Sequence, residues 1–257
     1  MSPWLVLSLA VVATCGLVLS VGWWRGRRYG AEGEEEVGTP AVIDYMIMMI
    51  GVVYAIVLGL AIAGVWEERS AAEDWVRQEA QALHEVGVRA EALPAAVRDR
   101  VREDVDAYVR HTLEVEWPHM VEEEELTERG DILLERLREG IRDHRPEDPV
   151  ALQERAAMTD HLAAVSEART ARAQSAESTM PAVVWVGLLV GGLVVVGLIF
   201  VFRVRRSARE VVLSALFSAL IGFLLYLIWH FDSPFARGLT DSTEAFELLF
   251  PHLAGSD

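Results

Sequence analysis

Four stretches of this chain are uncharged and apolar over the length of a bilayer crossing, and that decides most of what it can fold into. A helix needs about 20 apolar residues to cross roughly 30 Å of hydrocarbon. Residues 4–24, 45–66, 182–202 and 211–229 supply 21, 22, 21 and 19, and none of these runs contains Asp, Glu, Arg or His. Trp4, Trp23, Trp24, Tyr45, Trp66, Trp185 and Trp229 lie near their ends, where amphipathic rings settle at headgroup level. Buried helices of a water-soluble core rarely supply four such runs, so four transmembrane helices are expected. The first is not read as a cleaved signal. No basic segment precedes it, and Arg25, Arg27 and Arg28 follow it as a stop-transfer pattern.

The rest of the chain is as polar as the spans are not. Residues 67–181 hold 28 acidic side chains against 15 arginines, a net of −13 out of the chain's −16. This stretch is expected to form an acidic helical soluble domain. It separates a first membrane region (1–66) from a last one (182–257) that ends in a short C-terminal tail. From residue 67 to 93 there is no proline, and Ala72, Val76, Leu83, Val86, Ala90 and Leu93 recur at three- and four-residue steps. The second span should therefore run on as one helix to Pro94, a rod reaching on the order of 40 Å beyond the bilayer.

A further helix is predicted over 95–116, with Val97, Val101, Val105, Tyr108, Val109, Thr112 and Leu113 on one face. Trp117-Pro118 should close it, because a residue before proline is pushed out of the α region. Residues 126–143 read as a shorter helix built on Ile132, Leu133, Leu137 and Ile141. A turn at 145–149 leads into an alanine-rich helix aimed at the third span, with Pro181 at that span's start. The region 25–40, rich in glycine and glutamate, reads as loop. No alternating strand pattern appears, so the fold class is all-α.

Composition excludes much chemistry. The basic residues are all arginine, which removes Schiff-base catalysis and a lysine-bearing phosphate loop. The one cysteine, Cys15, lies in an apolar run, so neither an intrachain disulfide nor a cysteine-rich metal site is possible. The pI near 4.9 argues against nucleic acid. Glu122 to Glu125 point around a helix rather than toward one ion and read as a solvated acidic turn. His111 and Glu114 read as a surface pair, and no zinc, dinucleotide or hydrolase motif is present. No catalytic residue, metal site or cofactor is expected, and the chain is not read as an enzyme.

Within the spans, Gly51, Ala55, Gly59 and Ala63 place a small residue at every fourth position, the pattern that lets helices approach closely in lipid. Gly187 and Gly191 in the third span, and Ser214, Ser218 and Gly222 in the fourth, are similar. The small stripe is expected to pack inside one subunit, with Tyr54, Leu58 and Ile62 on the opposite, bulkier face. Ion-coupled pumps carry carboxylates or histidines at mid-membrane. Here Asp44, His230 and Asp232 lie only near helix ends. That leaves a passive conduit, whose apolar constriction gates by dewetting. Asp232-Ser233-Pro234-Phe235 reads first as a helix stop, with a vestibule rim at His230 and Asp232 as the functional alternative.

Three landmarks carry a resemblance. Residues 54–59 run on to Val65-Trp66-Glu67; Glu114-Val115-Glu116 runs into Trp117-Pro118-His119-Met120; and Asp232, Pro234 and Phe235 are followed by Gly238. The chain resembles the bacterial bestrophin-like domain family, which has no assigned function and is distantly similar to the bestrophin anion channels. Bestrophins are pentamers whose second helix lines an apolar neck. The resemblance therefore implies a homo-oligomer, pentameric by that likeness, with Tyr54, Leu58 and Ile62 lining a pore for inorganic ions. The chain shows no counterpart of the bestrophin calcium clasp, so calcium gating is not implied.

The expected location is the cell membrane, multi-pass. Short loops carrying Arg25, Arg27, Arg28, Arg203, Arg205, Arg206 and Arg209 fall on one side, and the positive-inside rule makes that side cytoplasmic and the acidic domain extracytoplasmic. Likeness to bestrophins would place the domain in the cytoplasm. A passive ion conduit, for anions by resemblance, is the functional expectation, although an acidic pore lining would repel anions. The alternative is a non-conducting membrane protein that binds a partner or senses the envelope through its acidic domain.

Overall fold

The computed structural model describes residues 41–123, 125–144, 148–176, 180–202, 208–233, 235 and 243–253. The first expected span, Cys15, the loop at 25–40, Glu124, most of the turn at 145–149, Arg203, Arg205, Arg206, Pro234 and Gly238 lie outside the described residues. Every regular element among the described residues is helical. Three helices are long and apolar enough to cross a membrane by length and composition: Tyr45–Ala92, Ala182–Ile199 and Arg209–Phe231.

The longest element, α1, runs Ala41–Arg89 as one uninterrupted helix of 49 residues, about 73 Å at 1.5 Å per residue. The continuity expected from the missing prolines is present. A short 3₁₀ turn, Ala90–Ala92, ends it, and Leu93 turns extended before Pro94, the conformation that a following proline favours. The chain divides into two compact units. An apolar unit holds residues up to Trp66 together with Met180–Asp232, and a charged unit holds Glu67–Thr179 together with Ser233–Asp257.

In the charged unit, α1 buries Ala72, Val76, Leu83 and Val86, and the 3₁₀ turn after it buries Ala90, all periodic residues of the sequence. Helix α2 (Ala95–His111) follows, burying Val101, Val105, Tyr108 and Val109. Here the expectation of a stop at Trp117-Pro118 is overturned. The helix widens into a π turn over Thr112–Glu116 and continues as α3, Trp117–Glu123. The Trp117 N–H reaches back to the Thr112 carbonyl, and Trp117 keeps α dihedrals of −62° and −53°. The wider turn takes up the clash that a proline makes with the carbonyl one turn earlier, and Pro118 lies in the first turn of α3, where its missing N–H is tolerated.

Helix α4 (Glu128–Asp143) starts where Thr127 caps it by accepting from the Gly130 N–H. Its buried face is Leu133, Leu134, Leu137 and Ile141, while Ile132, assigned to the core from sequence, is exposed. The helical period already separates the two: Leu134 falls on the side of Leu137 and Ile141, whereas Ile132 falls on the side opposite Ile141. Helix α5 (Pro149–Gln174) has Asp148 as its cap and Pro149 at its first position. The C-terminal stretch belongs to this unit as well: Phe235, Phe246 on the short helix α8 (Glu244–Leu249; α6 and α7 belong to the apolar unit) and Phe250 are buried in its core.

The apolar unit packs the first part of α1 with α6 (Ala182–Phe202) and α7 (Ala208–Phe231) around Tyr54, Leu58, Ala61, Val65, Leu188, Val195, Val196, Ile221 and Ile228. The Tyr54 hydroxyl donates to the Leu188 carbonyl at 2.9 Å. Its ring lies so close to α6 that a Cβ at Gly191 would fall 2.7 Å from it. Glycine there makes room for the tyrosine, and the hydroxyl satisfies a polar group in surroundings that offer it no water.

Replacing Gly191 by Ala should lower the melting temperature of the full chain in detergent, at a cost of about 1–3 kcal/mol. Gly87 lies inside α1, and a Cβ added to it would meet nothing within 4 Å; Gly87→Ala should stabilise by roughly 0.5–1 kcal/mol. Thermal unfolding followed by circular dichroism reads both.

Candidate functional site

Two arrangements concern function: the faces of α1 in the apolar unit and a cluster of buried charges in the other unit. On α1, structure and sequence expectation part company. Tyr54 and Leu58, expected on a pore, are buried in the subunit's own packing, and Ile62 is half-buried beside them. Gly51 is half-buried, while Ala55, Gly59 and Ala63, expected to pack inside the subunit, are exposed. A Cβ at Gly51 or Gly59 would meet nothing within 4 Å. The reversal has a physical reason. The glycines that admit a close neighbour are on α6, at Gly191 and Gly192, and what they admit is the Tyr54 ring.

Helix α7 stops at Phe231, as the helix-stop reading of Asp232 and Ser233 expects, and the next residue is Asp232. It is buried and accepts from the Met180 backbone N–H at 2.8 Å and from the Trp185 indole N–H at 3.1 Å. It thereby ties the end of α7 to the start of α6, satisfying a backbone donor just ahead of Pro181. Trp66 packs edge-on against Phe231 at 5.3 Å between ring centroids.

The charged cluster centres on Arg172, which is completely buried on α5. Its Nε donates to Glu79 Oε2 at 2.8 Å, its Nη2 to Glu116 Oε1 at 2.8 Å and to Glu79 Oε1 at 3.3 Å, and its Nη1 to Met120 Sδ at 3.2 Å. Its guanidinium lies 5.4 Å from the Trp117 ring centroid, within cation–π range. One helical turn earlier, Arg169 grips the other side of Glu116 with two hydrogen bonds of 3.1 and 2.8 Å. It also donates to the Thr127 carbonyl at 3.0 Å and pairs with Asp131. The Tyr108 hydroxyl donates to Glu79 at 2.8 Å. Two buried carboxylates thus face two buried guanidiniums, with Asp131 at the rim.

The cap of α4 is part of the same network. Thr127 gives its one hydroxyl proton to Glu116 Oε2 at 2.9 Å, so His111 Nε2, 2.8 Å away, donates to it. His111 therefore partners Thr127, not Glu114. Burial pushes its pKa below the ordinary value. Burial, then the charge of Glu79, pushes Tyr108 well up. For Glu116, burial works upward, but the Arg169 hydrogen bonds and the charges of Arg172 and Arg169 outweigh it and hold the carboxyl at about 2.

The network explains the tryptophan-proline landmark as structure. The π turn and α3 present Glu116, Trp117 and Met120 together to Arg172. Trp117 also meets Phe235 edge-on at 5.4 Å, joining two landmarks that lie far apart in sequence. Sequence reasoning alone misses the roles of Glu79, Arg169 and Arg172, although a signal exists. Glu79 falls between Val76 and Leu83 on an apolar face, and Arg169 and Arg172 continue the face of Leu162 and Val165. No group of three or more metal-ligating side chains with suitable geometry occurs among the described residues.

Arg172→Ala should cost about 3–5 kcal/mol, because it leaves two carboxylates in the core with one guanidinium. Glu116 ionises more readily folded than unfolded, so its contribution is full above its ordinary value of 4.5 and is lost as pH falls toward 2. That contribution is about 3 kcal/mol. Denaturant unfolding at pH 7, 4.5 and 3 should show the drop in wild type and a smaller one in Glu116→Gln.

The bestrophin-like domain family model matches residues 9–246, nearly the entire chain and all three landmarks. No curated protein and no solved structure matches the chain. The chain is a member of the bestrophin-like domain family.

Proposed function

We propose that the chain forms a symmetric homo-oligomer, pentameric by likeness to bestrophins, that conducts inorganic ions passively across the cell membrane without any catalytic step. The observation that carries the proposal is the division of α1 in the apolar unit. Tyr54, Leu58, Ala61 and Val65 are committed to packing, while the uncharged small-residue face of Ala55, Gly59 and Ala63 is left open. In lipid, small residues favour close association of helices, and an uncharged narrow passage between copies conducts and gates by dewetting. The pathway is accordingly assigned to this face, not to Tyr54 and Leu58. Anions are the permeant class by family likeness. The arginine distribution supports an extracytoplasmic side for the charged unit, and likeness to bestrophins supports a cytoplasmic one.

The experiment is flux from liposomes, chloride against potassium, with cysteine accessibility run beside it. In a Cys15→Ser background, Ala55→Cys or Gly59→Cys should become blocked by a charged thiol reagent added to the water. Leu58→Cys should not respond. Potassium flux in place of chloride would reassign the ion, and block at Leu58 alone would return the pathway to the bulky face. Absence of any flux in vesicles holding folded protein would move the reading to a non-conducting protein acting through its charged unit.

A further inference from the structure

An open groove of about 910 Å³ lies in the charged unit, with Trp75 of α1, Arg138 and Arg142 of α4, and Arg155 of α5 around it. Ile141 and Leu162 line it from the core side. Its arginines stand out against their surroundings. Among the described residues, the other half-buried or buried arginines outside the groove each meet a carboxylate: Arg69 with Glu73, Arg89 with Glu154, Arg98 with Asp99, and Arg169 and Arg172 in the central cluster. Arg155 is half-buried and meets none; its partner is the His144 carbonyl at 3.4 Å. Arg138 and Arg142 pair only with Glu135 and Glu139 on their own helix, contacts that water and salt hold weak. In a stretch with nearly twice as many acids as arginines, the lining of this groove holds three arginines against one carboxylate, Glu167.

The complementary feature is in the same chain. Glu122 and Glu123 at the end of α3, and Glu125 just after it, are exposed, and none of them takes part in an ion pair among the described residues. Within one copy they therefore do not neutralise the arginines of the groove.

We propose that the groove between α4 and α5 receives the acidic segment around Glu122, Glu123 and Glu125 of a second copy of this chain. The proposal rests on the homo-oligomer reading above and names the contact that holds the copies together in the charged unit. Because the two surfaces differ, the contact is head-to-tail, the kind that closes into a ring when repeated by a rotation. Trp75 and the arginines are the residue types that most often anchor protein interfaces.

The test is chemical cross-linking of the full chain in lipid nanodiscs. In the Cys15→Ser background no other cysteine exists, so Arg142→Cys and Glu123→Cys introduce the sole thiols. A short bis-maleimide should link the double variant into a ladder of multimers and leave each single variant unlinked. Adding Arg155→Glu should slow the linking at least tenfold, and adding Glu122→Arg to that should restore it. Circular dichroism identifies any variant that has failed to fold. For such a variant, raised salt applied to the folded double variant replaces it, and linking that salt does not slow overturns the proposal. No linkage in the double variant, while the unsubstituted protein runs as an oligomer, overturns the proposal and leaves the conduit reading intact. Equal linkage in either single variant overturns the head-to-tail contact. A monomeric unsubstituted protein overturns both readings.

Discussion

The charged unit depends on one arrangement, Arg172 held between Glu79 and Glu116 with no access to water. A guanidinium taken out of solvent is tolerable only when its hydrogen bonds are met, and here two carboxylates and a thioether accept them while an aromatic ring lies within cation–π range. These groups come from two places in the chain, Glu79 from α1 and Glu116, Trp117 and Met120 from the π turn and α3. Glu79 fixes the rotation of α1, Glu116 fixes the π turn, and Trp117 and Met120 fix the first turns of α3. A slip of any of these helices by one residue would leave a charge in the core without a partner. Arg169 extends the same condition to the cap of α4 through Thr127. Such a cluster adds less to stability than apolar packing of equal volume would, but it admits few alternative registers.

Gly130 shows how tightly the cluster is enclosed. A Cβ at that position would collide with the Glu116 carboxylate and the Arg169 guanidinium, so the first turn of α4 must come as near as a bare backbone allows. The apolar unit uses the same device with other chemistry. Gly191 and Gly192 let a tyrosine ring reach α6, and Asp232 accepts from the start of α6. In both units a small residue on one helix receives a large or charged group from another, and a hydrogen bond fixes the depth.

Much of this is legible in the sequence because it follows from periodicity and from what bilayers and prolines permit. The length of α1, its end at Pro94, the core face of α2 and the all-helical class come from those rules alone. What is not legible requires knowing which neighbour each face meets. Small residues at every fourth position of α1 fit a packing face, yet the partner's glycines decide the matter, and they take Tyr54 instead. Trp117-Pro118 fits a helix end because nothing local announces a π turn; it becomes intelligible only beside Arg172. Leu134 in place of Ile132, by contrast, is legible, since the helical period of Leu133, Leu137 and Ile141 includes the one and excludes the other.

The apolar unit's division of α1 into a committed face and an open one is the centre of the functional account, and it concerns copies of the chain, not one copy. The most direct measurement is a cryo-electron microscopy reconstruction of the full chain in lipid nanodiscs. The account predicts a closed ring of more than two copies, with Ala55, Gly59 and Ala63 of each α1 turned toward the axis and Tyr54 inside the subunit against α6. A monomer, a dimer without an axial passage, or a ring that turns Tyr54 and Leu58 to the axis would contradict it.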